Sequence, residues 1–176
     1  RVEIYTANLT SADDRARLAE FAKTWRGGIN VLINNAGVSH FRLLEHQPAG
    51  EVDLALAVNV QAPIHLCRLL VSHLQRQAEA HILNTGSVFG GIGYAAYSVY
   101  SATKFAMRGF SEALRRELAD TTVQVHYLAP RATRTGINTA AVDSMNAELG
   151  VAMDTPPVVA RAVRQMLEAG TVEAVV

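Results

Sequence analysis

Short, unbroken apolar runs alternate along this chain with longer amphipathic segments. That alternation constrains the fold more than any single residue. "INVLINNAG" and "AHILNTGS" read as strands buried on both faces, each followed by a turn. "VQVHYLAP" reads as a third such strand, stopped by Pro130, and "TVEAVV" as a closing one. Val2–Ala7 is expected to form a further strand at the start. Between these runs the spacing predicts helices. One is capped by Thr10 or Ser11 and ended by Gly27–Gly28. Another spans Ala49 to about Gln77, kinked or split at Pro63, and another spans Tyr97 to about Leu118. A last helix starts at Thr155 or Pro156, after a loosely patterned stretch from Arg131 to Asp154. Strands alternating with helices of this length imply an α/β fold, a parallel sheet covered by helices on both faces. In such sheets ligands bind beyond the carboxyl ends of the strands, here Asn34–Gly37, Thr85–Ser87 and Pro130–Thr135.

The remaining composition narrows the partners. The 16 acidic and 16 basic residues balance, so neither nucleic acid nor a membrane surface is expected as a partner. No apolar run was expected to reach the roughly 20 residues of a membrane span. Cys67 is the only cysteine, which fits a reducing, cytoplasmic setting and a small apolar filler. The six histidines show no metal-ligand spacing, and no metal is expected.

"NTGSVFGGIGYAAYSVYSATK" carries the chemistry. Its glycines follow a strand, as a phosphate loop would. The helix is delayed, however, and no acidic residue ends a second strand about twenty residues on. A mobile loop beside a pocket is the better reading. Tyr100 and Lys104 lie four residues apart, so they share a helix face, and Ser87 ends the preceding strand. A phenol is a poor acid–base catalyst at neutral pH, but an ammonium about 5 Å away favours the phenolate by roughly two pKa units. Tyr100 would then exchange a proton with a carbonyl or alcohol oxygen that Ser87 holds. A tyrosine–lysine pair at this spacing is frequent on solvated helix faces, and on the pair alone that reading prevails.

Beyond that pair, the chain resembles the short-chain dehydrogenase/reductase family over nearly its whole length. "NNAG" at Asn34–Gly37, Asn59 in "LALAVNV", Ser87 with Tyr100 thirteen residues on, Lys104, and "PRATRT" at Pro130–Thr135 all stand in the family's order. The resemblance implies that Tyr100 is the general acid in reduction and the base in oxidation. It implies that Lys104 lowers the phenol's pKa and binds the nicotinamide ribose, and that Ser87 positions the substrate oxygen. Asn59 would hold a water linking Lys104 to solvent. Asn35, Ala36 and Gly37 would line the cofactor's ribose, Asn8 and Leu9 the adenine, and Thr133 the carboxamide. The cofactor would be NAD or NADP, the substrate a small alcohol or ketone, and the assembly a homodimer or homotetramer. Met145, Leu149 and Met153 are expected as apolar contacts to substrate.

Two departures stand out. Arg131 replaces a usual glycine, and Arg131 or Arg134 would face solvent rather than phosphate. The family's first two strands and glycine-rich loop are also not found, so residues 1–176 are expected to be a single, incomplete NAD(P)-binding Rossmann-like domain, an α/β doubly wound parallel sheet without its first two strands. They would be either a fragment of a longer chain or a sequence from which a segment is missing. Two rival functions use the same residues: a non-catalytic nucleotide-sensing module, and a sugar epimerase or dehydratase.

Overall fold

The computed structural model describes residues 2–176. Helix α1 (Ala12–Thr24) starts where Ser11 Oγ accepts the Asp14 N–H at 3.3 Å, with Asp13 and Asp14 at its positive end. Gly28, at φ 102°, ends the turn that follows. Strand β1 (Val31–Asn34) then opens a four-stranded sheet. Next come α2 (Ala49–Leu56), a π turn (Ala57–Gln61) and α3 (Ala62–Leu74). Strand β2 (Ala80–Thr85), α4 (Ser98–Glu117) and β3 (Val123–Ala129) follow. The chain continues through α5 (Ala140–Glu148), α6 (Pro156–Ala169) and β4 (Glu173–Val175). The strands lie in the order β1-β2-β3-β4, all parallel, as the α/β reading requires.

Strand alternation sorts the core into two layers. Ile82, Val123 and Val125 face Leu70 and Leu74 of α3 and Leu114 of α4, with Ala19 of α1 in the same cluster. Leu83 and Leu128 face the other way, onto Met166 of α6. Helices therefore cover both faces, so the sheet is doubly wound. Between the layers runs a polar thread. Asn34 Nδ2 donates to Asn84 Oδ1 at 2.8 Å, Asn84 Nδ2 to Ser111 Oγ at 2.9 Å, and Ser111 Oγ to the Met107 carbonyl at 2.7 Å. Each buried polar group on this path has a partner, which removes the penalty of burying it.

Several expectations are corrected. Val2–Ala7 is not a strand: it joins no ladder, and Val2 and Ile4 are both 87 % exposed. A strand needs a neighbour, and among the described residues none lies beside it; Tyr5 instead stacks on Phe21 of α1, ring centres 4.7 Å apart. The long helix does break, but upstream of Pro63, at the π turn. Pro63 offers no N–H, so the Asn59 carbonyl loses its donor four residues on and the ladder re-spaces there. The run Ala49–Leu74 is also long and apolar enough by composition to cross a membrane, against the sequence expectation. Its apolar side chains Leu66, Leu70 and Leu74 are buried within the fold. Finally, the loosely patterned stretch after β3 contains α5, capped by Thr139 Oγ1 accepting the Val142 N–H at 3.4 Å.

Candidate active site

A cleft of about 1160 Å³ lies over the carboxyl ends of β1, β2 and β3. Its walls include Asn35, Ala36 and Gly37 after β1, Thr85 and Ser87 after β2, and Thr133 after β3. Tyr100 and Lys104 reach it from the first turns of α4, one turn apart on one face. The ends of three strands and one helix thus bring Ser87, Tyr100 and Lys104 together with the turn at Asn35–Gly37.

Each of the three side chains is held by a specific contact. Ser87 is extended, and its Oγ accepts the Phe89 N–H at 3.1 Å, capping a short 3₁₀ turn at Val88–Gly90. The hydroxyl proton remains available to an oxygen in the cleft. Lys104 is 5 % exposed, and its ammonium donates to the Thr85 carbonyl at 3.0 Å. The Lys104 Nζ also sits 5.5 Å from the centre of the Tyr100 ring.

Electrostatics differ from the simple expectation. Burial pushes the Tyr100 phenol up to about 12, a hydrogen bond with Ser87 pulls it the other way, and Tyr97 and Tyr127 add to the rise. Burial likewise pushes Lys104 down to about 8. Desolvation, not the neighbouring ammonium, sets the direction for the phenol: each group resists taking on charge in this dry site.

Asn59 stands behind the cleft wall, 2 % exposed, at the π turn. Its Oδ1 accepts the Val38 N–H at 2.8 Å, and its Nδ2 donates to the Val38 carbonyl at 2.8 Å and to Thr103 Oγ1 at 3.1 Å. The amide thereby pins the turn after β1 to α4. Gly37 lies between: a β-carbon there would sit 3.5 Å from Asn59 Oδ1 and 3.8 Å from Lys104 Nζ. Asn8 and Leu9 are outside the cleft. Asn8 closes a turn, its Oδ1 accepting the Thr10 N–H at 3.0 Å, and the Leu9 carbonyl accepts from Arg15 at 2.6 Å. Met145 and Leu149 line the cleft, whereas Met153 lines a smaller neighbouring hollow with Arg134 and Asp143. Arg131 pairs with Asp154 at 3.0 Å.

The glycines of "TGSVFGG" turn out to serve packing. The Tyr127 ring, 1 % exposed, occupies the space beside both Gly86 and Gly90, and a β-carbon at either would overlap its phenol. Gly90 also approaches the Lys104 carbonyl, where an added β-carbon would lie 2.8 Å from the oxygen. These glycines let the strand end and α4 close on Tyr127, so they form no phosphate cradle. Tyr127 and Thr103 were not singled out from sequence. The available signal was alternation in β3, which puts Tyr127 on the α4 side with Val125.

The nicotinamide–ribose half of a dinucleotide fits these residues. Lys104, Tyr100 and Ser87 offer an ammonium and two hydroxyls in a cleft that Asn35, Ala36 and Gly37 also line. Lys104 is buried with a carbonyl and no carboxylate as its partner, the donor set that ribose hydroxyls need.

Comparisons with known proteins agree with this geometry. The sequence pattern of the family described as short chain dehydrogenase matches residues 1–146. "Nodulation protein G" of Rhizobium meliloti (strain 1021) is 34 % identical over 130 residues, 74 % of this chain and 53 % of that protein. "Uncharacterized oxidoreductase DltE" of Bacillus subtilis (strain 168) is 38 % identical over 140 residues, 77 % of this chain and 55 % of that one. The chain spans about half the length of these curated relatives. The crystal structure of a short-chain dehydrogenase from Streptomyces avermitilis superposes with a TM-score of 0.86 at 24 % identity, covering 99 % of this chain and 70 % of that one. That likeness establishes the fold, and the family match over most of the sequence establishes descent: the chain belongs to the short-chain dehydrogenase family.

Proposed function

We propose that this chain carries the catalytic part of an NAD(P)-dependent oxidoreductase that interconverts a secondary alcohol and a ketone. The observation that carries the reading is the convergence of Ser87, Tyr100 and Lys104 in one cleft beyond the strand ends. When bound, the nicotinamide supplies or accepts the hydride at the carbonyl carbon. Ser87 donates a hydrogen bond from its hydroxyl to the substrate oxygen, keeping its own proton, and fixes that oxygen's position. Tyr100 keeps its proton through the resting state, because burial makes the phenolate unfavourable. It releases that proton once the substrate oxygen gains negative charge. In the oxidative direction the same atoms act in reverse. Lys104, brought to about 8, gains and loses a proton close to neutrality and can pass one onward from the phenol. Asn59 holds the turn at Val38 and so the wall beside Lys104. Thr133 and Asn35–Gly37 complete the cofactor side, and Asn8 and Leu9 the adenine side. Leu54 and Leu56 on the α2 run and Phe105 on α4 are exposed, which supports pairing of copies into a homodimer or homotetramer through these helices.

The deciding experiment is Tyr100→Phe in the full-length protein. We expect turnover over a ketone panel to fall at least a thousandfold while nicotinamide binding persists. Undiminished turnover would remove Tyr100 from its role. Cofactor binding without turnover by the unmodified protein would favour a sensing module.

A further inference from the structure

Building on that reading, we infer that the substrate is an uncharged ketone or alcohol with a flat aromatic body, gripped by the rings of Phe89, Tyr94 and Tyr97.

Three observations carry this. The first is a wall of rings beside the reacting phenol. Phe89 stacks on Tyr94 with centres 5.5 Å apart and an interplanar angle of 19°, and packs on Tyr97 at 5.1 Å. Phe89 meets Tyr100 edge-on at 6.3 Å and 87°, and Tyr97 lies 5.9 Å from Tyr100. All four rings line the cleft. Tyr94 is 45 % exposed although it is stacked, so it presents an open aromatic face at the cleft's mouth. Offset-stacked and edge-to-face ring pairs of this kind favour another ring more than an aliphatic chain of equal area.

The second observation is the aliphatic lining of the same cleft. Ile137, Val142, Met145, Leu149 and Val151 contribute to it, and Leu149 is 61 % exposed. Aromatic and aliphatic side chains lining one cleft make an apolar slot, and such a slot selects apolar bodies. The third is charge. Among the described residues only Lys104 and Arg131 contribute charged side chains to the cleft. Lys104 is engaged at the Thr85 carbonyl on the floor, and Arg131 is paired with Asp154. Lys104 serves the nicotinamide ribose in the proposed function and Arg131 already has its carboxylate, so neither is left for a carboxylate or phosphate on the substrate's far end, which would lose its hydration. The ketone carbon would take the hydride and its oxygen the Tyr100 proton, yielding the aryl alcohol and oxidised nicotinamide.

The test pairs acetophenone with cyclohexyl methyl ketone, which has the same carbon skeleton without the π face, and adds acetoacetate as the anionic control. With the full-length protein and NADH or NADPH, we expect kcat/KM about tenfold higher for acetophenone than for its saturated counterpart, and least for acetoacetate. Tyr94→Leu keeps apolar volume at an exposed position, and it should bring the two rings to within about threefold. Equal rates for both rings in the unmodified protein, or a preference for acetoacetate, would overturn the inference. Saturation-transfer NMR reads binding without chemistry. Signal from acetophenone that exceeds that from cyclohexyl methyl ketone and weakens in Tyr94→Leu supports the slot even if no ketone turns over, which would sink only the proposed reaction. Equal or absent signal from both rings overturns the slot.

Discussion

Tyr127 fills the volume that a side chain on Gly86 would need: a β-carbon at Gly86 would overlap the phenol Cζ and Oη. Tyr127 is anchored in β3 and Gly86 sits at the end of β2, so neither backbone moves without breaking the ladder between them. Gly86→Ala is therefore expected to destabilise the chain by about 1–3 kcal/mol through overpacking. Tyr127→Val opens space at the same point. The double variant should recover much of the loss, a coupling that urea denaturation of the two single variants and the pair would measure.

Lys104 points to a trade between stability and chemistry. Its folded pKa is depressed, so the ammonium is less favourable in the folded state than in the unfolded one. The sign follows directly: folding is most favoured above the ordinary lysine value of 10.5, weakens as pH falls toward about 8, and carries the full penalty below that. At pH 7 Lys104→Met removes the penalty and the bond to Thr85 together. The net expectation is a gain of about 1–2 kcal/mol in the ligand-free protein, with turnover lost. Guanidinium unfolding at pH 7 would check it, and a loss of stability would show that the Thr85 bond outweighs desolvation.

His126 makes the fold sensitive to acid. The ring is fully buried, bonded through Nδ1 to the Thr171 carbonyl at 2.8 Å and through Nε2 to His81 Nδ1 at 3.0 Å. Burial holds its pKa below 6.5; the Thr171 carbonyl opposes that shift, and His81 and Arg115 reinforce it. The unfolded chain therefore binds the proton more readily. Stability should be complete above about pH 6.5 and decline as pH falls through the depressed folded value. The melting temperature of His126→Asn should fall less steeply than that of the unmodified chain between pH 6.5 and 5.

Asn59, itself buried, closes the turn at Val38. Asn59→Ala leaves the Val38 N–H and carbonyl without their partners, at a cost of about 2–4 kcal/mol. Amide exchange at Val38 should accelerate more than exchange in β3. Equal acceleration everywhere would mean that the whole fold, not this turn, depends on the side chain.

Much of the site was legible because it rests on local periodicity. Tyr100 and Lys104 share a helix face at any spacing of four, and Ser87 ends a strand whose apolar run is unmistakable. What depends on distant partners was hidden. Val2–Ala7 has strand composition, yet a strand exists only when another backbone pairs with it. The phenol's acidity was read from one neighbour, whereas burial decides its direction against the opposing hydrogen bond with Ser87. Tyr127 looked like one more strand residue until its ring met Gly86 and Gly90. The π turn at Asn59 likewise comes from a proline four residues downstream, and sequence reading placed the break at the proline itself.

Asp154, the partner of Arg131, ties together the two ends of the segment that follows β3. Asp154 accepts the Arg134 N–H at 2.9 Å, gives its own N–H to the Ala132 carbonyl at 2.8 Å, and clasps Arg131. Residues 135–153 therefore leave and rejoin the body at a single knot, while β3 and β4 pair independently of them. Residues of this bracketed segment line the cleft but lend no strand to the sheet, so changes of length or side chain within it are expected to alter which molecule enters more than they alter the sheet.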